Sequence, residues 1–145
     1  MAFRFTLAQV LRVRESIERR EELVLQRAEL EVTRVQRRIE ELTDLLAKTG
    51  KARDEAILKS MQAFELQCMN AEMAEIAAAR EEVFATLQTL MEKRNAQRKI
   101  YQSAHNSRQM LTDMSTQQRT EYDQDQTKEQ QKRLDDIFAA RMQRD

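Results

Sequence analysis

The chain has 145 residues, no proline, one glycine, and 25 basic residues against 25 acidic ones. Sheets need turns rich in Gly, Pro and Asn-Gly pairs, and nucleic-acid binders need a concentrated positive tract; neither pattern is present, which argues against both classes. With 34% of residues charged and 5% aromatic, the composition suits long exposed helices around a narrow apolar stripe, in a single domain spanning residues 1–145.

The first predicted helix covers residues 7–58. Thr6 and Gln9 have the spacing of a capping box, and Phe5 and Val10 that of a hydrophobic staple. Val10, Ile17, Val24 and Ala28 begin an apolar stripe that Arg14 and Glu21 interrupt. Two successive steps of four, Val24 to Ala28 to Val32, form a local stutter that relaxes supercoiling. From Leu25 the pattern is strict: Leu25, Ala28, Val32, Val35, Ile39, Leu42 and Leu46 recur in steps of three and four. Charged residues such as Arg27, Glu31, Arg34, Arg38 and Glu41 surround them. This is a coiled-coil seam, and it requires a partner helix.

A second repeat supplies that partner. Met69, Met73, Ile76, Arg80, Val83, Leu87, Leu90, Arg94, Gln97, Tyr101, Ala104, Arg108 and Leu111 keep the same spacing, with four polar residues on the seam. One chain folding back on itself buries both stripes. The expected fold is therefore all-α, a long antiparallel two-helix coiled coil (an α-hairpin), with a second helix over residues 64–142. Gly50 and the stretch 58–63 both qualify as its turn; Ser60 is the one residue with a turn preference in the latter. Ser115 to Arg133 is almost wholly polar, either frayed or a solvated helix held by charge pairs. A turn near Met61 explains this polarity: it sets Met1 level with about Glu121, so most of the polar stretch has no helix to bury against and the C-terminal helix overhangs. That register favours 58–63 over Gly50. Past the polar stretch, Leu134, Ile137, Phe138 and Met142 line one face of the overhang, the i, i+3, i+4, i+8 pattern of a helix that docks into a groove. A flexible tail with chance apolar residues is the alternative.

Residues for chemistry are missing. His105 is the sole histidine and reads as a chance surface residue; a catalytic dyad or histidine-rich metal site has no second member. One glycine cannot build a phosphate-cradling loop. Acidic pairs such as Glu21-Glu22, Glu40-Glu41 and Asp135-Asp136 point to successive helix faces and read as solvated charge. The expectation is a protein that is no enzyme and takes no cofactor or metal. Cys68 alone makes no disulfide within one chain, which suits a reduced cytoplasmic thiol. No signal peptide or membrane-spanning run is apparent. Eight methionines either serve adaptable contacts or, like Met61, Met69 and Met73, fill the seam and tip.

The termini resemble a known family. Phe3-x-Phe5-x-Leu7-x-x-Val10-Leu11-x-x-Arg14-Glu15-x-x-Glu18 is similar to the opening of the FliJ family, small cytoplasmic components of the bacterial flagellar type III export apparatus. Glu129-x-x-Lys132-x-Leu134-Asp135-Asp136 resembles that family's C-terminal segment. Glu65-Leu66 resembles the acidic-aliphatic pair that opens its second helix, here without the family's glycine-containing break, and Glu72 stands where the family carries an aromatic. The resemblance implies a stalk-like coiled coil that binds a FliI-like export ATPase ring and the cytoplasmic domain of a FlhA-like export gate, and that escorts export chaperones. It implies a location at the cytoplasmic face of the inner membrane, reached through partners and without direct membrane insertion. Nucleic acid is not an expected partner.

Two surfaces follow as expected partner-binding sites. Leu45 lies outside the strict repeat beside Leu42 and Leu46, and faces the region of Ile76, Ala79 and Val83 across the hairpin. The resemblance implies that export components bind near these positions; the bland alternative is that Leu45 widens the core. The second surface is the overhang face of Leu134, Ile137, Phe138 and Met142, which the resemblance assigns to the ATPase ring. A structural coiled-coil spacer, or a related stalk of virulence secretion systems, is the alternative function.

Overall fold

The computed structural model describes residues 2–144. Two helices account for nearly all of them: α1, Ala8–Leu58, of 51 residues, and α2, Ala63–Met142, of 80 residues. No strand occurs among the described residues. The two helices pack against one another as an all-α helical hairpin. Their contacts divide into two compact units, one of Glu21–Tyr101 and one of Met1–Arg20 with Gln102–Asp145.

In the Glu21–Tyr101 unit the chain reverses over four residues. The Lys59 N–H donates to the Ala56 carbonyl at 3.1 Å and the Ser60 N–H to the Ile57 carbonyl at 3.2 Å. Ser60 then takes a φ of 63°, the left-handed conformation that ends a helix and that costs an L-residue about 1–2 kcal/mol. α2 starts with the Leu66 N–H on the Gln62 carbonyl at 3.1 Å, and Glu65 sits in its first turn, where a carboxylate meets the positive helix end. Gly50 is helical. A methyl group on it would meet only the terminal methyl of Met73, at 3.3 Å, so it is not a turn but a point where α2 reaches over α1.

The seam of this unit follows the repeat. Leu25, Ala28, Val32, Val35, Ile39, Leu42 and Leu46 of α1 are buried or half-buried, as are Met69, Met73, Ile76, Val83, Leu87 and Leu90 of α2. Val32, Leu42, Ile76 and Leu87 are the driest, and burying each contributes about 1.5–3 kcal/mol. Arg53 donates to Asn70 Oδ1 at 3.2 Å. The pairs Arg53–Asn70 and Gly50–Met73 each add to 123, which sets the antiparallel register.

Some of the polar seam residues find partners. Gln97 donates its amide to Glu21 Oε2 at 2.6 Å and to the Glu21 carbonyl at 3.2 Å. The Arg80 guanidinium lies 5.5 Å over the Phe84 ring. Arg53 Nε and Arg94 Nε are buried without a hydrogen-bond partner, a cost that makes this seam less stable than an all-apolar one.

The other unit carries a correction to the stripe expected from Val10, Ile17 and Val24. Val10 is exposed in this unit, as is Val24 in its neighbour; Ile17 is half-buried as expected, and Leu11 and Glu18 are turned inward with it. Carboxylates take inward positions because α2 offers them polar partners. Arg108 Nε donates to Glu18 Oε2, and Arg108 Nη2 donates to Glu18 Oε1 at 3.3 Å. His105 Nδ1 lies 3.0 Å from the same oxygen. His105 is thus part of an interhelical cluster, not a chance surface residue.

The start of α1 differs as well. No hydrogen bond of a Thr6–Gln9 box forms among the described residues, and the Phe5 carbonyl accepts from the Ala8 N–H at 3.2 Å. Phe5 is buried, and Phe3 packs on Tyr122 with ring centroids 5.6 Å apart. The first residues are not helical. Within the polar stretch Ser115, Gln118, Tyr122 and Gln126 are half-buried and the other residues to Arg133 are exposed. Beyond Gln126 every described residue is exposed. Met1, expected level with Glu121, lies outside the described residues.

Two outcomes test this packing. Leu87→Asp puts a carboxylate into the dry seam and should cost at least about 3 kcal/mol in urea unfolding, whereas Glu40→Ala on the exposed face should stay within about 0.5 kcal/mol. The second concerns acid. The Arg108 hydrogen bond holds the Glu18 carboxyl below its ordinary value of 4.5, against the opposing effect of burial and with further help from His105. A lowered carboxyl stabilises the fold above its unfolded value, and that stability is lost as pH falls through the folded one. Glu18→Gln should therefore lower the melting temperature at pH 7, and the gap from the parent protein should close as the pH falls below about 4.

Candidate partner-binding surfaces

In the Glu21–Tyr101 unit the seam decides which side chains reach the surface. Leu42 and Ile76 are buried between the helices, and Ala79 and Val83 are half-buried. Leu45 is 46% exposed. It stands one turn from Leu42, and the register of the Arg53–Asn70 and Gly50–Met73 pairs sets it level with residue 78. The five residues therefore lie at one level of the hairpin, yet differ in role: Leu42 and Ile76 hold the helices together, while Leu45 offers an apolar side chain to solvent. Exposed Asp44 and Lys48 flank it. Any contact made here uses Leu45 and the outer edges of Ala79 and Val83.

The second surface lies on the last turns of α2. Leu134, Ile137, Phe138 and Met142 are between 51% and 82% exposed. Their spacing places Leu134 and Phe138 one turn apart, with Met142 a turn further and Ile137 alongside. Four large apolar side chains held on one helix face in water form a surface that gains from being covered. Asp135 lies beside this face and Arg141 within it, so the patch carries both signs of charge. Its isolation follows from the packing: the segment before α1 contacts α2 at Tyr122, and no described residue covers α2 after Gln126.

Among the described residues, no group of three or more His, Cys, Asp or Glu side chains is placed to hold a metal ion. Cys68 is free and exposed. No helix among them is long and apolar enough to cross a membrane. Two features were not foreseen from the residues: the Glu18–His105–Arg108 cluster, and exposed Leu23 and Leu30 on α1. The seven-residue interval between the leucines was visible, but a strict repeat nearby drew attention to the other face.

The chain has no match among curated proteins or solved structures. A family model described as "Flagellar FliJ protein" matches residues 3–145. That match takes in the N-terminal aromatics, both seam repeats, the turn and the exposed C-terminal face, and the chain belongs to the flagellar FliJ family.

Proposed function

We propose that this protein is a non-enzymatic coiled-coil component of the flagellar protein export apparatus that docks onto the export ATPase through the end of α2. Family membership supports the place in the apparatus. One observation carries the docking: the apolar face of Leu134, Ile137, Phe138 and Met142, fully helical and with no cover among the described residues. Burying such a face against a groove in the ATPase ring removes several large apolar side chains from water, each a gain of about 1.5–3 kcal/mol before the cost of association. Helix already formed before binding keeps that cost low, because little backbone entropy remains to be lost.

The side surface at Leu45 suits a second partner, the cytoplasmic domain of the export gate, with the outer edges of Ala79 and Val83 as its rim. Leu42 and Ile76 then act indirectly, by holding Leu45 in place. Export chaperones are further partners in this reading. The protein works in the cytoplasm and reaches the inner membrane through the gate rather than by its own insertion.

Deleting the residues after Arg133 should leave the melting temperature within about 2 °C of the parent, because the described residues lost are all exposed, and should abolish ATPase binding measured by fluorescence anisotropy. Full affinity in the truncated protein would place the contact on the paired helices. Leu45→Arg should weaken binding to the gate domain about tenfold or more with unchanged circular dichroism. Loss of helicity in that variant would mean that Leu45 serves the core.

A further inference from the structure

The outer face of α1 between Leu23 and Arg37 has an arrangement that neither proposed surface uses. Leu23, Arg27, Leu30, Arg34 and Arg37 lie on one side of the helix, with Gln26 and Thr33 at its edge, and all seven are exposed. Steps of three, four and seven residues keep them within one helical stripe. No carboxylate falls on it between Leu23 and Arg37, and Glu41 continues it one turn beyond. Of the acids nearby, Glu29 pairs with Arg98 of α2 at 3.5 Å and Glu41 with Arg38 at 3.2 Å, while exposed Glu31 borders the stripe beside Arg27 and Arg34. Arg27, Arg34 and Arg37 make no ion pair among the described residues, while Leu23 and Leu30 are 55% and 66% exposed. Beside Leu30 the surface dips into a shallow groove of about 380 Å³, lined by Leu30, Thr33, Arg34, Arg37, Arg38 and Glu41.

We infer that this face binds an acidic amphipathic α-helix of another protein. Leu23 and Leu30 are spaced seven apart, the interval at which a packed helix presents successive knobs. Arginines flanking both leucines match carboxylates on either side of an incoming apolar stripe, and Arg is suited to bidentate carboxylate recognition. The interleaving argues against the other users of a basic face. A membrane-surface helix separates its apolar side from its basic side, whereas here both share one stripe. Phosphate backbones are bound by charge alone and have no use for two leucines at the centre.

The test uses the full chain and labelled synthetic peptides, read by fluorescence anisotropy. The first peptide is an 18-residue helix, with leucines at heptad spacing flanked by glutamates. The second has the same composition scrambled, and the third carries lysines for glutamates. Vesicles containing phosphatidylglycerol, read by co-sedimentation, are the fourth probe. The expected result is that the first peptide binds and the scrambled one does not. Arg27→Glu with Arg34→Glu should weaken that binding about tenfold or more and confer binding on the lysine peptide, with circular dichroism unchanged. Leu30→Ser should also weaken it, which bare charge attraction would not. Absence of binding, equal binding of the scrambled peptide, stronger association with the vesicles, or indifference to the charge reversal would each overturn the inference.

Discussion

A helix whose apolar residues form a stripe only two positions in seven wide cannot keep that stripe dry alone, and this constraint governs the molecule. Each stripe is the other's cover. The seam residues Val32 and Leu42 of α1 are buried where Ile76 and Leu87 of α2 answer them, and little else in the chain is buried at all. Stability is thus spread thinly along the helices rather than gathered in one core. Covering also has a limit. α1 has 51 residues and α2 has 80, so α2 must outrun its partner. Phe3, before α1, packs on Tyr122, and after Gln126 every described residue is exposed.

Polar residues within the seam give it specificity at some expense of stability. An apolar stripe alone permits slippage by one heptad, because every turn looks alike. Gln97 bonded to Glu21, and Arg108 with His105 around Glu18, are satisfied in one register only. Displacing either helix by a turn would strand a carboxylate in a half-dry interface, a penalty larger than the gain from any alternative apolar contact. Fixed register matters to function, since it decides which side chains of each helix are turned outward together.

Much of this was legible in the residues, and the rest was hidden for definite reasons. Apolar spacing alone identified the seam from Leu25 to Leu46 and its partner on α2, because burial in a two-helix contact leaves a strict period. Ser60 was identifiable as a breaker in a stretch of helix formers. The inward turn of Glu18 was not, since a carboxylate is read as exposed until its partner is known, and Arg108 lies ninety positions away in sequence. The Thr6–Gln9 spacing suggested a cap that does not form, because tertiary burial of Phe5 determines the path of the chain there. The cover of Tyr122 was hidden for a similar reason: it comes from Phe3, in a non-helical segment that carries no periodic signal. The apolar tail was legible because its pattern is local, and what it binds was suggested only by the family.

α2 changes near Gln126 from a partly covered seam to a fully exposed helix with an apolar face. Hydrogen–deuterium exchange along α2 measures that change directly. The account predicts amides that are protected from Leu66 to about Gln126, that exchange rapidly beyond it, and that become protected between Leu134 and Met142 when the export ATPase is added. Equal protection along the whole of α2 in the protein alone, or a C-terminal segment that the ATPase leaves unprotected, would contradict it.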